Sequence, residues 1–568
     1  MVLNDSISDE LSSQNQHVIV IHPGSLYVRI SRASDVNPHT ELHAVARKRL
    51  LGGAVHRDTL LPSTLQRPKE CMQELEECRL QVSYNLQSCF QSSGQRRYAT
   101  PPQQIAAFNR RSHGQVISTT TREWIKPEDD AIIGDEILNL NPSLDFNIHF
   151  PLQRGELNVH NGVGGSLTSV LTDLYDIWTH IIKTKLLIPI KDLQKYKAVL
   201  VIPDIYNRLY LKEYMYLLLH RMGFSACFLI QDHVVATFGA GLGYACVIDV
   251  GHTKTSVSCV EDGVSISNTR VRLGYGGGDI TQAYHWLLQK CAFPYKCDPN
   301  LSTLDAILLQ KLKHDFCHVN LDVCGCFEKS FIVRQPKKPA TSFVIQVADE
   351  CLIAPLGIFH PELLGLTGIK PVFTQSRAVS DSEDPHDGDY LRETSVSYRR
   401  GTKESGDPGD GMGGDGGASL TLGVGGGGGE EDIVVDSMVE VCSSADFVLE
   451  SGQPLGLDQA VLQSVERCGG DEQKRKMYST ILIVGGGLKF DGISHWLQSK
   501  LALHISYANK PDQIDIITTP KESDPQITTW RGAAILSSLE TAQELWITAD
   551  EWKKHSVTIL RERAPFMW

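Results

Sequence analysis

Two strand–turn–strand segments, more than two hundred residues apart, constrain this 568-residue chain most. The first, HVIVIHPGSLYVRI (17–30), is an apolar run, a tight turn at Pro23-Gly24 and a second apolar run. The second, YACVIDVGHTKTSVSCVEDGVSI (244–266), repeats the plan around Gly251, with a further turn at Glu261-Asp262-Gly263. A recurring hairpin implies two related halves. Between them, Leu167, Val170, Leu171, Leu174, Trp178, Ile181 and Ile182 form one stripe and predict an amphipathic helix over 167–186. KAVLVIPDIY (197–206) reads as a buried strand and KEYMYLLLHRMGF (212–224) as a helix ending near Gly223. FLIQDHVVATFGAGLG (228–243) reads as strand, helix and glycine stop. Strands alternating with helices around hairpins predict α/β layers.

A third signal is YSTILIVGGGLKFDGISHWLQSKL (478–501), in which a strand enters Gly485-Gly486-Gly487 and then a helix. A glycine triplet by itself is a flexible turn; in this context it lets backbone approach a ligand closely. Two stretches break the pattern and read as large loop insertions. Residues 55–123 have few long apolar runs and many Gln, Ser and Arg. Residues 376–437 hold 14 glycines between Gly401 and Gly429, too little apolar surface to offset the entropy of ordering.

The net charge of −13 opposes bulk attraction to nucleic acid. It is uneven: Asp381 to Asp432 carries 13 acids and 4 bases, a net −9, whereas Glu41 to Glu123 carries 12 bases and 7 acids, a net +5. The polar start MVLNDSISDELSSQNQ has no apolar targeting core and is expected to be disordered over 1–15, and no apolar run reaches the ~20 residues of a membrane helix. The 14 scattered cysteines are then expected to be reduced. His314, Cys317, His318, Cys324 and Cys326 fit no standard zinc spacing and read as ordinary side chains at a helix end.

Two facing turns of small residues with free N–H groups suit a polyphosphate gripped from both sides. The residues that would do this are Gly24, Ser25 and Leu26 in the first turn and Val250, Gly251, His252, Thr253 and Lys254 in the second. Asp249 ends its strand where a carboxylate would hold magnesium through water. Gly485, Gly486 and Gly487 would cover the nucleoside.

With these features the chain resembles the actin superfamily over most of its length. IIGDEILNLNPSLDFNIHFPLQRGEL (132–157), LYDIWTH (174–180), LGYGGGDIT (273–281), LLQKLKHDFCHVNLD (308–322) and WRGAAILSSLETAQELWITADEW (530–552) carry the likeness. It implies an α/β, actin-like two-lobed ATPase fold, duplicated RNase H-like domains with two large loop insertions. Lobe I would comprise 16–240 and 520–568 with the insertion 55–123; lobe II would comprise 241–519 with the insertion 376–437. It places Ser25 and Leu26 at the first phosphate loop, Asp249, Gly251 and His252 at the second, Gly485 to Gly487 at the adenosine loop and Lys313 beside the nucleotide. ATP or ADP, with magnesium, is the implied cofactor. Departures weigh against catalysis. His22 replaces a metal-organising acid, and Pro23 follows it; His252 replaces a second acid. Asp232 stands where actins position the attacking water with glutamine, with Gln231 one step earlier, and Ser256 replaces a histidine. Phosphoryl transfer depends on positioning and charge stabilisation, so the expectation is a nucleotide holder with at most very weak ATPase activity and no catalytic residues. His252 would either hydrogen-bond phosphate or simply pack.

Within the superfamily, VIVIHPGS (18–25), FPLQRGELNVHNGVGGSLTSVL (150–171), VIPDIYN (201–207), SVSCVEDGVS (256–265), EDPHDGDYL (383–391) and ILRERAPFMW (559–568) are similar to nuclear actin-related subunits of the INO-eighty chromatin-remodelling complex. That likeness implies a nuclear structural subunit seated with nuclear actin and actin-related protein 4 on a helix of the motor subunit. It would engage nucleosomes and histones three and four and serve transcription and DNA repair. The acidic insert would attract basic histone tails or act as a solubilising loop. Arg47-Lys48-Arg49, Arg96-Arg97 and Arg110-Arg111 would meet DNA phosphate weakly or form ordinary surface. The alternatives are an active ATPase or sugar kinase of the same fold, with Asp204 or Asp232 as base, and a filament-forming actin, which both insertions oppose.

Overall fold

The computed structural model describes residues 15–62, 69–118, 121, 123–366, 372–374 and 455–564. The expected insertion 376–437 lies outside the described residues, as do residues 1–14 of the expected disordered start and the last four residues. Both hairpins form where expected. Val18–Pro23 pairs antiparallel with Tyr27–Arg32, and Tyr244–Val250 pairs antiparallel with Thr255–Glu261. Each hairpin then nucleates a sheet of the same plan. In the first, His39–Leu42, Tyr27–Arg32 and Val18–Pro23 are antiparallel, followed by Lys197–Ile202 and Ala226–Gln231 in parallel, with Ile547–Thr548 at the edge. In the second, Val271–Leu273, Thr255–Glu261 and Tyr244–Val250 are antiparallel, followed by Thr480–Val484 and Asp515–Ile517 in parallel. The shared order is the duplication that the repeated hairpin predicted.

The stripe on Leu167–Thr184 buries Val170, Leu171, Leu174, Ile177, Trp178, Ile181 and Ile182, and Ser166 caps the start by accepting from Ser169 N. The helix expected over 212–224 starts earlier, at Arg208 behind an Asn207 cap, and passes into a π-helical turn over Leu217–Met222. Gly223 stops it at φ +79°, a conformation that needs no Cβ. The buried strand ends at Ile202, because Pro203 cannot continue the ladder.

Between the sheets lie two helices, Asp232–Ala240 and Thr528–Ser537. They cross at backbone contact: a Cβ on Gly532 would stand 1.6 Å from the Val235 carbonyl oxygen, and one on Gly239 would stand 2.1 Å from that of Thr528. Val20, Val201, Phe228, Val247, Leu482 and Trp530 close this middle core, and Trp530 Nε1 donates to the Val20 carbonyl at 3.2 Å.

The expectation of a bare loop over 55–123 is corrected. It carries helices Lys69–Ser88 and Pro102–Asn109 and a strand, Gln115–Ser118, that pairs with Ala340–Val347. Leu60, Leu61, Val82 and Leu86 join the core of the second sheet. Sequence periodicity missed this because scattered single apolar residues do the packing. Among the described cysteines none is disulfide-bonded, and no described helix is long and apolar enough to cross a membrane. His314, Cys317, His318, Cys324 and Cys326 do not converge as a metal-sized group.

Candidate functional site

The two hairpin turns close identically. Gly24 N donates to Tyr27 O at 2.9 Å, and Gly251 N donates to Lys254 O at 2.9 Å. Position by position, His22 therefore corresponds to Asp249, Ser25 to His252 and Tyr27 to Lys254. Strand register puts Arg29 opposite His22 and Ser256 opposite Asp249. Both turns face one cleft, whose lining includes Gly24, Ser25, Leu26, Asp249, Gly251, His252, Lys254, Lys313 and Gly485 to Gly487. Two expected residues do not reach it with their side chains. Val250 is core, and Thr253 is buried, its Oγ1 accepting from Arg154 N at 2.9 Å.

Neighbouring glycines hold the second turn. Gly277 N donates to Gly251 O at 2.9 Å, Gly278 N to His252 O at 2.7 Å and Gly487 N to Val250 O at 2.8 Å. Gly485 has φ +87°, and a Cβ there would meet Asp249 Oδ1 at 2.6 Å. Behind the first turn, His43 Nδ1 lies 2.7 Å from Gly24 O while Trp178 Nε1 donates to His43 Nε2 at 3.2 Å. That pair of partners defines a neutral imidazole protonated on Nδ1. Burial pushes it down to about 4.

The charges of the cleft are unequal. Arg29, Lys254 and Lys313 all line it. Arg29 Nε and His22 Nδ1 are buried atoms with no hydrogen-bond partner, and a buried donor left so costs ~1–3 kcal/mol until something accepts from it. Lys313 Nζ donates to Gly277 O at 2.8 Å, and burial pushes its ammonium down to about 8. Burial also lowers His22 to about 3, helped by the Arg29 charge, and lowers His252 to about 4. Neither imidazole competes for a cation's role at neutral pH. His252 Nε2 lies 2.7 Å from the Leu60 carbonyl, so of its two expected roles the packing one is realised at that nitrogen: it ties the segment 57–62 to the second turn.

The expectation that Asp249 holds magnesium meets an obstacle. Lys254 Nζ lies 3.3 Å from Asp249 Oδ2 and 2.7 Å from Asp232 Oδ2. Burial alone would lower Lys254, but the two carboxylates outweigh it and hold the ammonium above its ordinary value. Asp232 Oδ1 is taken as well, accepting from His233 N at 2.9 Å. Magnesium keeps several waters and is held through one or two carboxylates plus phosphate oxygens. Here the first hairpin offers imidazole, and the second offers one carboxylate already facing an ammonium. With the Lys254 ammonium seated on both carboxylates, the side chains present do not fit a divalent cation.

Burial would raise the Asp232 carboxyl, but the Lys254 charge overrides it and holds it below the usual range, which makes a poor base. Asp204 is buried behind the cleft, 3.7 Å from His233 Nδ1 and 3.8 Å from Arg270 Nε, and does not line it. Gln231 also points away, donating to the Asp204 carbonyl. Ser256 Oγ lies 2.9 Å from His233 Nε2, a histidine supplied by another element. Sequence reading missed Arg29 as a cleft residue; its signal was the hairpin register, which sets residue 29 across from residue 22 once the turn is placed at 24–27.

Two sheets of one plan, joined by crossed helices and meeting at paired turns, define the actin class of α/β proteins. The actin family model matches residues 13–565, and the chain belongs to the actin family. Within that family it is 54% identical to actin-related protein 8 of Aedes aegypti over 98% of both chains. It is 37% identical to the Homo sapiens actin-related protein 8, covering 98% of this chain and 93% of that one. A solved structure described as human actin-related protein Arp8 in its ATP-bound state superposes with a TM-score of 0.83 at 35% identity over 99% of each chain.

Proposed function

We propose that this actin-related protein holds ATP (or ADP) as a structural element and does not turn it over at an enzymatic rate. The convergence of Arg29, Lys254 and Lys313 between the two turns carries the reading, because it supplies cationic charge to a polyanion inside a partly dry cleft. The ATP carried by the similar human protein supports it. Against hydrolysis stand Asp232 and Asp249, both engaged by the Lys254 ammonium, and His22 in place of an acid. Stripped full-length protein is expected to bind ATP with micromolar or tighter Kd by calorimetry and to release phosphate far below one per second. Turnover near one per second, where enzymes commonly begin, would refute the holder reading.

The same reading extends to the setting. The chain serves in the nucleus as a subunit of the INO-eighty remodelling complex. It sits with nuclear actin and actin-related protein 4 on the motor subunit's helix and engages nucleosomes through histones three and four, in support of transcription and DNA repair. The names borne by its relatives support this placement. A native pull-down with mass spectrometry is expected to return the motor subunit and nuclear actin; their absence would count against it. DNA contact is the weaker part. Arg47 pairs with Asp173 and Asp176, Lys48 with Asp130 and Arg49 with Asp145, while Arg97 is buried. The ordered helices of the 55–123 insertion favour a chain that does not form filaments.

A further inference from the structure

We propose that Lys254 is a built-in substitute for the divalent metal, so that this cleft takes up free triphosphate rather than its magnesium complex. The inference rests on the nucleotide-holding reading above and specifies the chemical form of the ligand.

Lys254 closes the second turn through its own carbonyl, so its backbone is fixed by the same bond that shapes the phosphate loop. Its stem runs past Gly155, where a Cβ would stand 3.2 Å from Lys254 Cδ, and the tip reaches Asp232, Asp249 and, at 3.5 Å, Ser256 Oγ. The ammonium thus stands between Asp232 and Asp249, the two carboxylates that line the cleft among the described residues.

A hydrated dication is held through one or two carboxylates and phosphate oxygens; of the matched hairpin positions here, His22 offers no acid, and the acids present, Asp249 and Asp232, are both engaged by Lys254. A fixed ammonium 3.3 Å from Asp249 would repel a second cation there, while still neutralising phosphate oxygens as a point charge. Lys254 and Arg29, one from each hairpin, then supply the charge that magnesium would otherwise deliver. Replacement of an exchangeable ion by a tethered one also removes an ion whose loss could release nucleotide, which suits a holder.

The test is ATP affinity of stripped full-length protein in excess EDTA and in millimolar magnesium. The parent is expected to bind with affinities within about threefold of each other. Lys254→Met is expected to lose about tenfold or more in EDTA and to recover most of it with magnesium, since Asp232 and Asp249 are then free to hold the ion. Lys254→Arg keeps a cation there and should stay indifferent to magnesium. A parent that needs magnesium to bind overturns the proposal and leaves the nucleotide reading standing; so does a Lys254→Met variant whose loss magnesium does not repair. No ATP binding in either condition overturns both. Should Lys254→Met fail to fold, the parent in EDTA still decides.

Discussion

His43 shows how one side chain prepares a loop it does not belong to. Its Nδ1–H holds the Gly24 carbonyl and its Nε2 accepts from Trp178, so only the neutral ring satisfies both partners. The folded value of about 4 lies below the ordinary 6.5. The unfolded chain therefore binds the proton first, and stability falls as pH drops from 6.5 towards 4, by about 1.4 kcal/mol per unit. At pH 5 this amounts to about 2 kcal/mol for this ring. Urea unfolding at pH 7 and pH 5 should show His43→Gln losing about that much less than the parent between the two, because an amide also donates and accepts without titrating. Equal losses would show that the ring does not titrate as argued.

Among elements, the crossed helices Asp232–Ala240 and Thr528–Ser537 join the two sheets, and they approach so closely only because Gly239 and Gly532 lack side chains at the crossing. The first of these helices begins at Asp232, so packing along it bears on one wall of the cleft. Gly532→Ala would force the helices apart or bend one, since the obstacle is the Val235 backbone carbonyl and cannot rotate away. The expected cost is about 3 kcal/mol or more, in the range of severe overpacking. Thermal unfolding checks it: a melting temperature within two or so degrees of the parent would mean that the crossing relaxes freely. Nothing in the local sequence marked this pair, because small residues in a helical pattern read simply as weak helix formers.

At the scale of the whole molecule, the 55–123 segment fastens one half of the chain to the other. Arg97 Nη1 donates to Leu321 O and Val323 O, each at 2.6 Å, and Nη2 to Asp349 Oδ1 at 2.9 Å. Arg97→Ala would strand a buried Asp349 carboxylate and two carbonyls, an expected cost of about 3–5 kcal/mol. Hydrogen exchange should then quicken over 69–98 and 321–323 ahead of the rest; uniform exchange would argue against a fastening role. The sequence alone determined the duplicated α/β plan, the two hairpins, the long amphipathic helix and the glycine-rich third turn, because each is written in local periodicity and turn chemistry. The two hairpin turns and the glycine-rich turn it marked do line one cleft. Only the tertiary structure decided that Lys254 stands on Asp232 and Asp249, that Arg29 faces the cleft, that Arg97 is buried and that His252 holds Leu60. Those four outcomes join residues from separate elements, and the sign of a charge in the sequence says nothing about which opposite charge the fold will bring to meet it.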